Sequence, residues 1–225
     1  MRNAGIHAGQ GAYDMSLTFY DFKMAPSPRR ARIILAIKQV PHETVQIDMM
    51  KAEQMGEAYR AINPNCTLPA LKLEDGSVLT DNAGIAAWLE ETYPEPPLFG
   101  STALEKAEIA SWNGRVEMEL GMAVANALRN ANPAMANRAL PGPHNYKQIP
   151  ALAERGMQQI NHFFEALEAH LKGREFIAAG KLSVADVTCF CFLDFAKVVQ
   201  KQPGEDFPNI ARWREGLREQ KAFQR

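Results

Sequence analysis

The sequence predicts an α/β unit built on a four-stranded mixed sheet, followed by an all-α helical-bundle unit. Three observations carry that expectation. Short runs of β-formers alternate with helical patterns up to about residue 93. From residue 101 onward only long amphipathic or wholly apolar helical patterns occur. Between them "YPEPPLFG" places three prolines and a glycine where neither pattern continues. The boundaries read as 1–14 leader, 15–93 α/β unit, 94–100 linker and 101–225 helical unit.

Taken in order, "MRNAGIHAGQGAYD" is Gly/Ala-rich, precedes a second methionine and reads as a disordered leader. "SLTFYDF" has the β-formers and rough alternation of a strand. In "APSPRRARIILAI", Ser27 reads as an N-cap with Pro28 at the first helical position, and Ile33, Ile34 and Ile37 form an apolar face. "HETVQIDM" reads as a second strand and "EQMGEAYRAIN" as a short helix interrupted by a glycine. "PALKL" and "SVL" flank Asp75-Gly76, the strongest hairpin signal of the chain, and "NAGIAAWLEETY" is a helix. A parallel β-α-β unit followed by a hairpin and a helix gives the mixed sheet. In the second half, "ALEKAEIASWNGRVEMELGMAVANALRN" and "IPALAERGMQQINHFFEALEAHLKG" are long helices. "SVADVTCFCFLDFAKVV" is apolar nearly all round, as for the central helix of a bundle, with Ser183 and Asp186 spaced as a helix start. "FPNIARWREGLREQ" closes the series.

Composition excludes several classes. Lys+Arg total 25 against 26 Asp+Glu, with no block of one sign, which argues against nucleic-acid and anionic-membrane partners. No apolar run approaches the length of a membrane span. Cys66, Cys189 and Cys191 show no metal or CxxC spacing, and an odd number fits a reducing, cytoplasmic setting.

The stretch "LPALKLEDGSVLTDN" raises a chemical question. A proline at the mouth of a strand has no ladder donor to give. A cis Leu68-Pro69 bond would turn the Leu68 backbone outward, where an extended peptide can pair with it; a trans proline would only shape a loop. Asp81 and Asn82 stand where the next helix begins, and helix starts hold carboxylates through free N–H groups. Asp81 suits an ammonium and Asn82 a neighbouring carboxylate, the two charges of an α-amino acid end group; a plain helix cap is the simpler reading.

These residues resemble the glutathione S-transferase family. The resemblance spans roughly residues 16–225 and rests on "SPRRARIILAIK", "NPNCTLPALKLEDGSVLTDNAGIAAWLEETYP" and "LSVADVTCF". "STALEKAEIASWNGRVEMELGMA" is similar to the bacterial and fungal branch. It implies a thioredoxin-like N-terminal domain, a helical C-terminal domain, a homodimer, and glutathione as co-substrate without a metal. Carried over, Leu68 with cis-Pro69 meets the cysteinyl part, Asp81 and Asn82 take the γ-glutamyl end, and Gln54 stands where relatives often have a His for the glycyl carboxylate. Asp-Asn replaces the more usual Glu-Ser with its chemistry kept.

The implied activity is transfer of the glutathione thiolate to a small apolar electrophile. A thiol with pKa near 8.5 is only about 3% ionised at pH 7, and lowering it by about two units takes about 2.7 kcal/mol. A helix dipole supplies roughly 0.3–2 kcal/mol. A hydrogen bond to a charged acceptor adds about 1.5–3 kcal/mol. The dipole alone falls short, so a donor is needed. The resemblance places Pro26 at the usual hydroxyl position and Ser27 one residue later. Tyr20 lies too early. Ser27 is thus the candidate, with backbone amides of Ala25, Ser27 and Arg29 and a water held by Asn126, Arg129 or Asn130 as the other route. Arg29, Arg30 and Arg32 read chiefly as surface or ion-pair residues, and Trp112, Met118 and Met122 as interdomain core. His144 and His162 read as surface. Two further functions stay open: a glutathione-dependent disulfide reductase using Cys66, which needs an exposed thiol, and a non-catalytic glutathione-binding or interaction protein.

Overall fold

The computed structural model describes residues 17–224, so the leader assigned to residues 1–14 lies outside the described residues. The first strand, β1 (Leu17–Asp21), leads through a turn into helix α1 (Pro26–Ile37). That helix starts two residues earlier than the sequence suggested. Ala25 is the extended N-cap (φ −86°, ψ 142°) and Pro26 is the first helical residue. Ser27 therefore lies inside the first turn, and its predicted capping role is corrected. Pro26 and Pro28 both suit a first turn because their missing N–H groups have no intrahelical acceptor there. What decides between them is the Ala25 N–H to Phe22 carbonyl bond of 3.0 Å, which fixes the preceding turn.

Strand β2 (His42–Gln46) pairs parallel with β1 from Leu17–His42 to Asp21–Gln46. Strands β3 (Ala70–Lys72) and β4 (Val78–Leu79) form the expected hairpin, and the sheet order is β2-β1-β3-β4. Gly76 sits at φ +86°, and Asp75 Oδ1 accepts from Ser77 N at 2.8 Å to close the turn. After a 3₁₀ turn at Met49–Lys51, the helix predicted across "EQMGEAYRAIN" is corrected to one 3₁₀ turn at Glu53–Met55 and one turn of α2 (Glu57–Arg60). Gly56 breaks it, held extended at ψ 157° with no side chain to pack. Helix α3 (Asn82–Thr92) follows the hairpin as predicted.

The helical unit opens with α4 (Ala103–Arg115), whose start is closed by a reciprocal Thr102–Glu105 capping box. A π turn at Val116–Gly121 joins it to α5 (Met122–Ala131). The extra residue in that wide turn alters the side-chain register. Met118 and Met122, expected in the interdomain core, are 65% and 44% exposed, a correction to their assignment. Trp112 is half-buried, its ring 4.0 Å from that of His170 with the Arg115 guanidinium 4.4 Å away on it. Helices α6 (Pro150–His170), α7 (Val184–Phe195) and α8 (Pro208–Arg218) complete the bundle. Helices α5 and α6 approach closely because Gly156 has no Cβ, which would stand 2.5 Å from the Ala123 carbonyl. Cys189 and Cys191 are buried in α7, and burial pushes the Cys191 thiol up to about 12.

A continuous apolar core crosses both units, from Leu17, Phe19 and Ile33 to Phe164, Val187 and Trp213. Charged contacts reinforce the junction. Arg29 pairs with Asp194 at 2.8 Å and reaches the Phe223 carbonyl, and Arg30 pairs with Glu117. Asp194 also takes Arg214 and Arg218. Arg32 pairs with Asp21. The three arginines of α1 thus act as ion-pair partners, as the sequence reading favoured. Among the described residues no helix is long and apolar enough to cross a membrane.

Candidate functional site

Strand polarity gathers the candidate residues. Because β2 runs parallel to β1, the chain leaves both strands at the same end of the sheet, towards α1 and towards Gln54 respectively. Because β3 runs antiparallel, its entrance, Leu68-Pro69, lies at that end, with Ala70 opposite Tyr20. Strand β4 runs back to the same end, where Asp81 and Asn82 start α3. Ser27, Gln54, Leu68, Pro69, Asp81 and Asn82 therefore share one end of the sheet.

Leu68-Pro69 is cis, and no hydrogen bond among the described residues engages the Leu68 backbone. Behind it, Tyr59 donates its hydroxyl to the Thr67 carbonyl at 2.7 Å, and Asn63 Nδ2 donates to the same oxygen at 2.8 Å. Burial pushes the Tyr59 phenol above its ordinary range. Tyr20 stacks edge-on against Tyr59, 5.9 Å between ring centres, and so packs the sheet and stays off α1.

At the start of α3, Asp81 Oδ1 accepts from Gly84 N at 2.8 Å. The cap leaves the amides of Asn82 and Ala83 unbonded among the described residues, and no cation pairs with the exposed Asp81 carboxylate. Asn82 Oδ1 is buried without a partner, and so is Gln54 Oε1. Gln54 is 7% exposed. These are the two buried side-chain polar atoms without partners among the described residues, and both belong to the predicted set. Since buried polar groups are nearly always bonded, two orphans at one end of a sheet mark a place completed by something else.

The start of α1 is narrower than the sequence suggested. The Ala25 amide is taken by Phe22 and the Arg29 amide by the Ala25 carbonyl at 3.4 Å. Pro26 and Pro28 have no N–H. Of the backbone donors proposed there, Ser27 N–H remains open, and its half-buried hydroxyl also has no partner among the described residues. One residue thus offers both donors.

The candidate water-holding residues lie on α5. Helix α5 packs on α6, whereas α1 packs on α7 and α3. Asn130 is buried, donating from Nδ2 to the Asn126 carbonyl at 3.1 Å and accepting at Oδ1 from Ile149 N at 3.0 Å. Arg129 Nη1 donates to the Arg138 carbonyl at 2.8 Å. Cys66 is 2% exposed, with its sulfur 3.6 Å from the Pro64 carbonyl, and does not meet the exposure that disulfide reduction needs. It adopts φ +53°, a conformation ordinarily left to glycine.

Sequence reasoning passed over the loop 132–149. Arg138 Nη2 bonds the Gly142 carbonyl at 2.9 Å and crosses to Met55 Sδ at 3.5 Å, beside Gln54. Gly142 lies against the Asn65 carbonyl. The loop, "NPAMANRALPGPHNYKQI", has no periodicity or motif to announce this.

Known proteins share this fold. The description "Glutathione S-transferase, N-terminal domain" matches residues 25–92, and "Glutathione S-transferase, C-terminal domain" matches 132–221. Glutathione S-transferase 2 of Saccharomyces cerevisiae is 29% identical over 216 residues, covering 92% of this chain and 88% of that protein. The crystal structure of Gtt2 from Saccharomyces cerevisiae superposes with a TM-score of 0.83 at 28% identity, covering 92% of this chain and 98% of that one. A class Gtt2 glutathione S-transferase of Vibrio parahaemolyticus gives 0.78 at 28% identity, covering 92% and 95%.

Proposed function

From the chain's membership of the glutathione S-transferase family, which the matches to both of its domains show, we propose that it binds glutathione at this end of the sheet and transfers its thiolate to a small, largely apolar electrophile. The observation that carries the reading is the pair of buried, unpartnered polar atoms on Gln54 and Asn82. Each sits where an end of glutathione arrives. The cysteinyl backbone pairs with the Leu68 N–H and C=O. The γ-glutamyl ammonium meets Asp81, and its carboxylate meets the open amides of α3 and the Asn82 side-chain amide, which donates Nδ2–H once a half-turn exchanges it with the buried Oδ1. Gln54 faces the glycyl end; a half-turn of its terminal amide exchanges acceptor for donor.

Ser27 then faces the sulfur. Its N–H and hydroxyl both favour the anion over the neutral thiol. Together with the dipole of α1 they cover the roughly 2.7 kcal/mol that two units of acidification require. The thiol proton leaves to solvent. The sulfur lone pair forms the new S–C bond while the electrophile's leaving group departs with its bonding electrons, or, at an activated alkene, while the adjacent carbon takes a proton from water. The protein's contribution is orientation and anion stabilisation, with no bond to the enzyme.

Calorimetry of glutathione binding in buffers of two pH values tests this. Binding near pH 7 with proton release, together with turnover of an activated aryl halide, is the expected result. Binding without release favours the non-catalytic reading, and no binding at millimolar glutathione overturns both.

A further inference from the structure

Resting on that reading, we infer that Arg138, from the loop of the helical unit, supplies the positive charge for the glycyl carboxylate of glutathione. The sheet unit itself offers little there. Gln54 and Met55 are neutral, and the neighbouring segment is acidic, with Asp48, Glu53 and Glu57. Lys51 is 77% exposed at its side chain and lies 3.5 Å from the Asp48 carboxylate. A carboxylate docked beside Gln54 is therefore short of a charged donor, the kind that gives strong carboxylate bonds.

Arg138 stands beside that gap. Its Nη2 makes both contacts, to Gly142 O and Met55 Sδ, leaving Nη1 and Nε without a partner among the described residues; Nη1 can donate to a carboxylate, and the bond becomes two-pronged where the carboxylate displaces the weak Met55 sulfur contact on Nη2. No carboxylate pairs with Arg138 or Arg129 among the described residues. Burial and the charge of Arg138 both lower the pKa of Arg129, as expected of neighbouring cations without a counter-ion. An anion arriving between the loop and Met55 relieves that repulsion.

The loop holds the arginine ready. Tyr146 N bonds the Asn137 carbonyl at 2.9 Å and Ala139 N bonds the Tyr146 carbonyl at 3.1 Å. Gln148 Nε2 ties the loop base to the carbonyls of Arg129 and Asn132, both at 2.7 Å. Little ordering is left to be done on binding, which favours affinity. The inference also makes the glutathione site a product of both units.

Two ligands separate the possibilities: glutathione, and its analogue with the glycyl carboxylate converted to an amide. Calorimetry compares the unaltered protein with Arg138→Gln and Arg138→Lys. The expected result is a loss of about ten- to a hundredfold in glutathione affinity for Arg138→Gln, the range for a hydrogen bond to a charged group. The amide analogue should bind Arg138→Gln as it binds the unaltered protein, and Arg138→Lys should recover part of the loss. Unchanged glutathione affinity in Arg138→Gln overturns the inference alone. So does an equal loss for both ligands, which would show that the arginine only braces the loop. Failure of the unaltered protein to bind glutathione removes the functional reading, and this inference with it.

Discussion

Two kinds of helix start coexist in this molecule. At α7 the polar side chains of the helix start are closed. Asp186 Oδ2 accepts from Ser183 N at 3.0 Å and Ser183 Oγ at 2.8 Å, and its Oδ1 accepts from Ile177 N at 2.9 Å and Trp213 Nε1 at 3.0 Å. The carboxyl is fully buried, and burial pushes its pKa up against those bonds. At α1 and α3 the corresponding groups stand open: the Ser27 hydroxyl and amide, the Asn82 amide, and the buried Asn82 Oδ1. The first kind binds the protein to itself. The second leaves hydrogen-bonding capacity unspent, which the proposed function assigns to a ligand.

Substitutions can break this contrast. The largest effect is expected at the closed start. Asp186→Ala strands four donors and should cost about 3–5 kcal/mol, as losing one partner of a buried charged network does. For a chain of this size that lowers the melting temperature by roughly 6–20 °C. A loss below about 1 kcal/mol would mean the network is not needed to close the bundle. Ser27→Ala should act the other way round. Its melting temperature should hardly move, because the hydroxyl bonds nothing in the free protein, while kcat/KM at neutral pH falls about ten- to a hundredfold. Full activity would assign the thiolate to the Ser27 amide and the dipole. The smallest effects sharpen the contrast within α3. Asp81→Ala should lose about 1 kcal/mol of stability with its cap as well as affinity for glutathione. Asn82→Ala should lose affinity only, since removing an unpaired buried polar atom costs the fold nothing. Equal stability losses for the two would erase the distinction between cap and ligand group.

How far the sequence revealed this follows the range of the interactions involved. The Asp75-Gly76 hairpin and the Ser183–Asp186 helix start were legible because each is decided within a few residues. The start of α1 was not, since Pro26 and Pro28 satisfy the same first-turn rule and the Ala25–Phe22 bond chooses between them. Met118 and Met122 followed a helical period that the π turn interrupts. At the candidate site, Gln54, Leu68, Pro69, Asp81 and Asn82 were readable through turn and cap chemistry and through family resemblance. Arg138 was not, because nothing local marks a loop residue whose contact lies 83 positions away.

Arg29, two residues beyond Ser27, is anchored at the far end of the chain: it holds Asp194 and the Phe223 carbonyl, and stands 5.0 Å over the Phe190 ring. Phe223 in turn stacks edge-on against Phe190. The orientation of α1, and so of the dipole that the proposed function aims at the sulfur, is thereby set from the turn at Lys221–Gln224. An affinity tag fused behind that turn, or a protease trimming it, would act on the acidity of a thiol bound almost two hundred residues upstream.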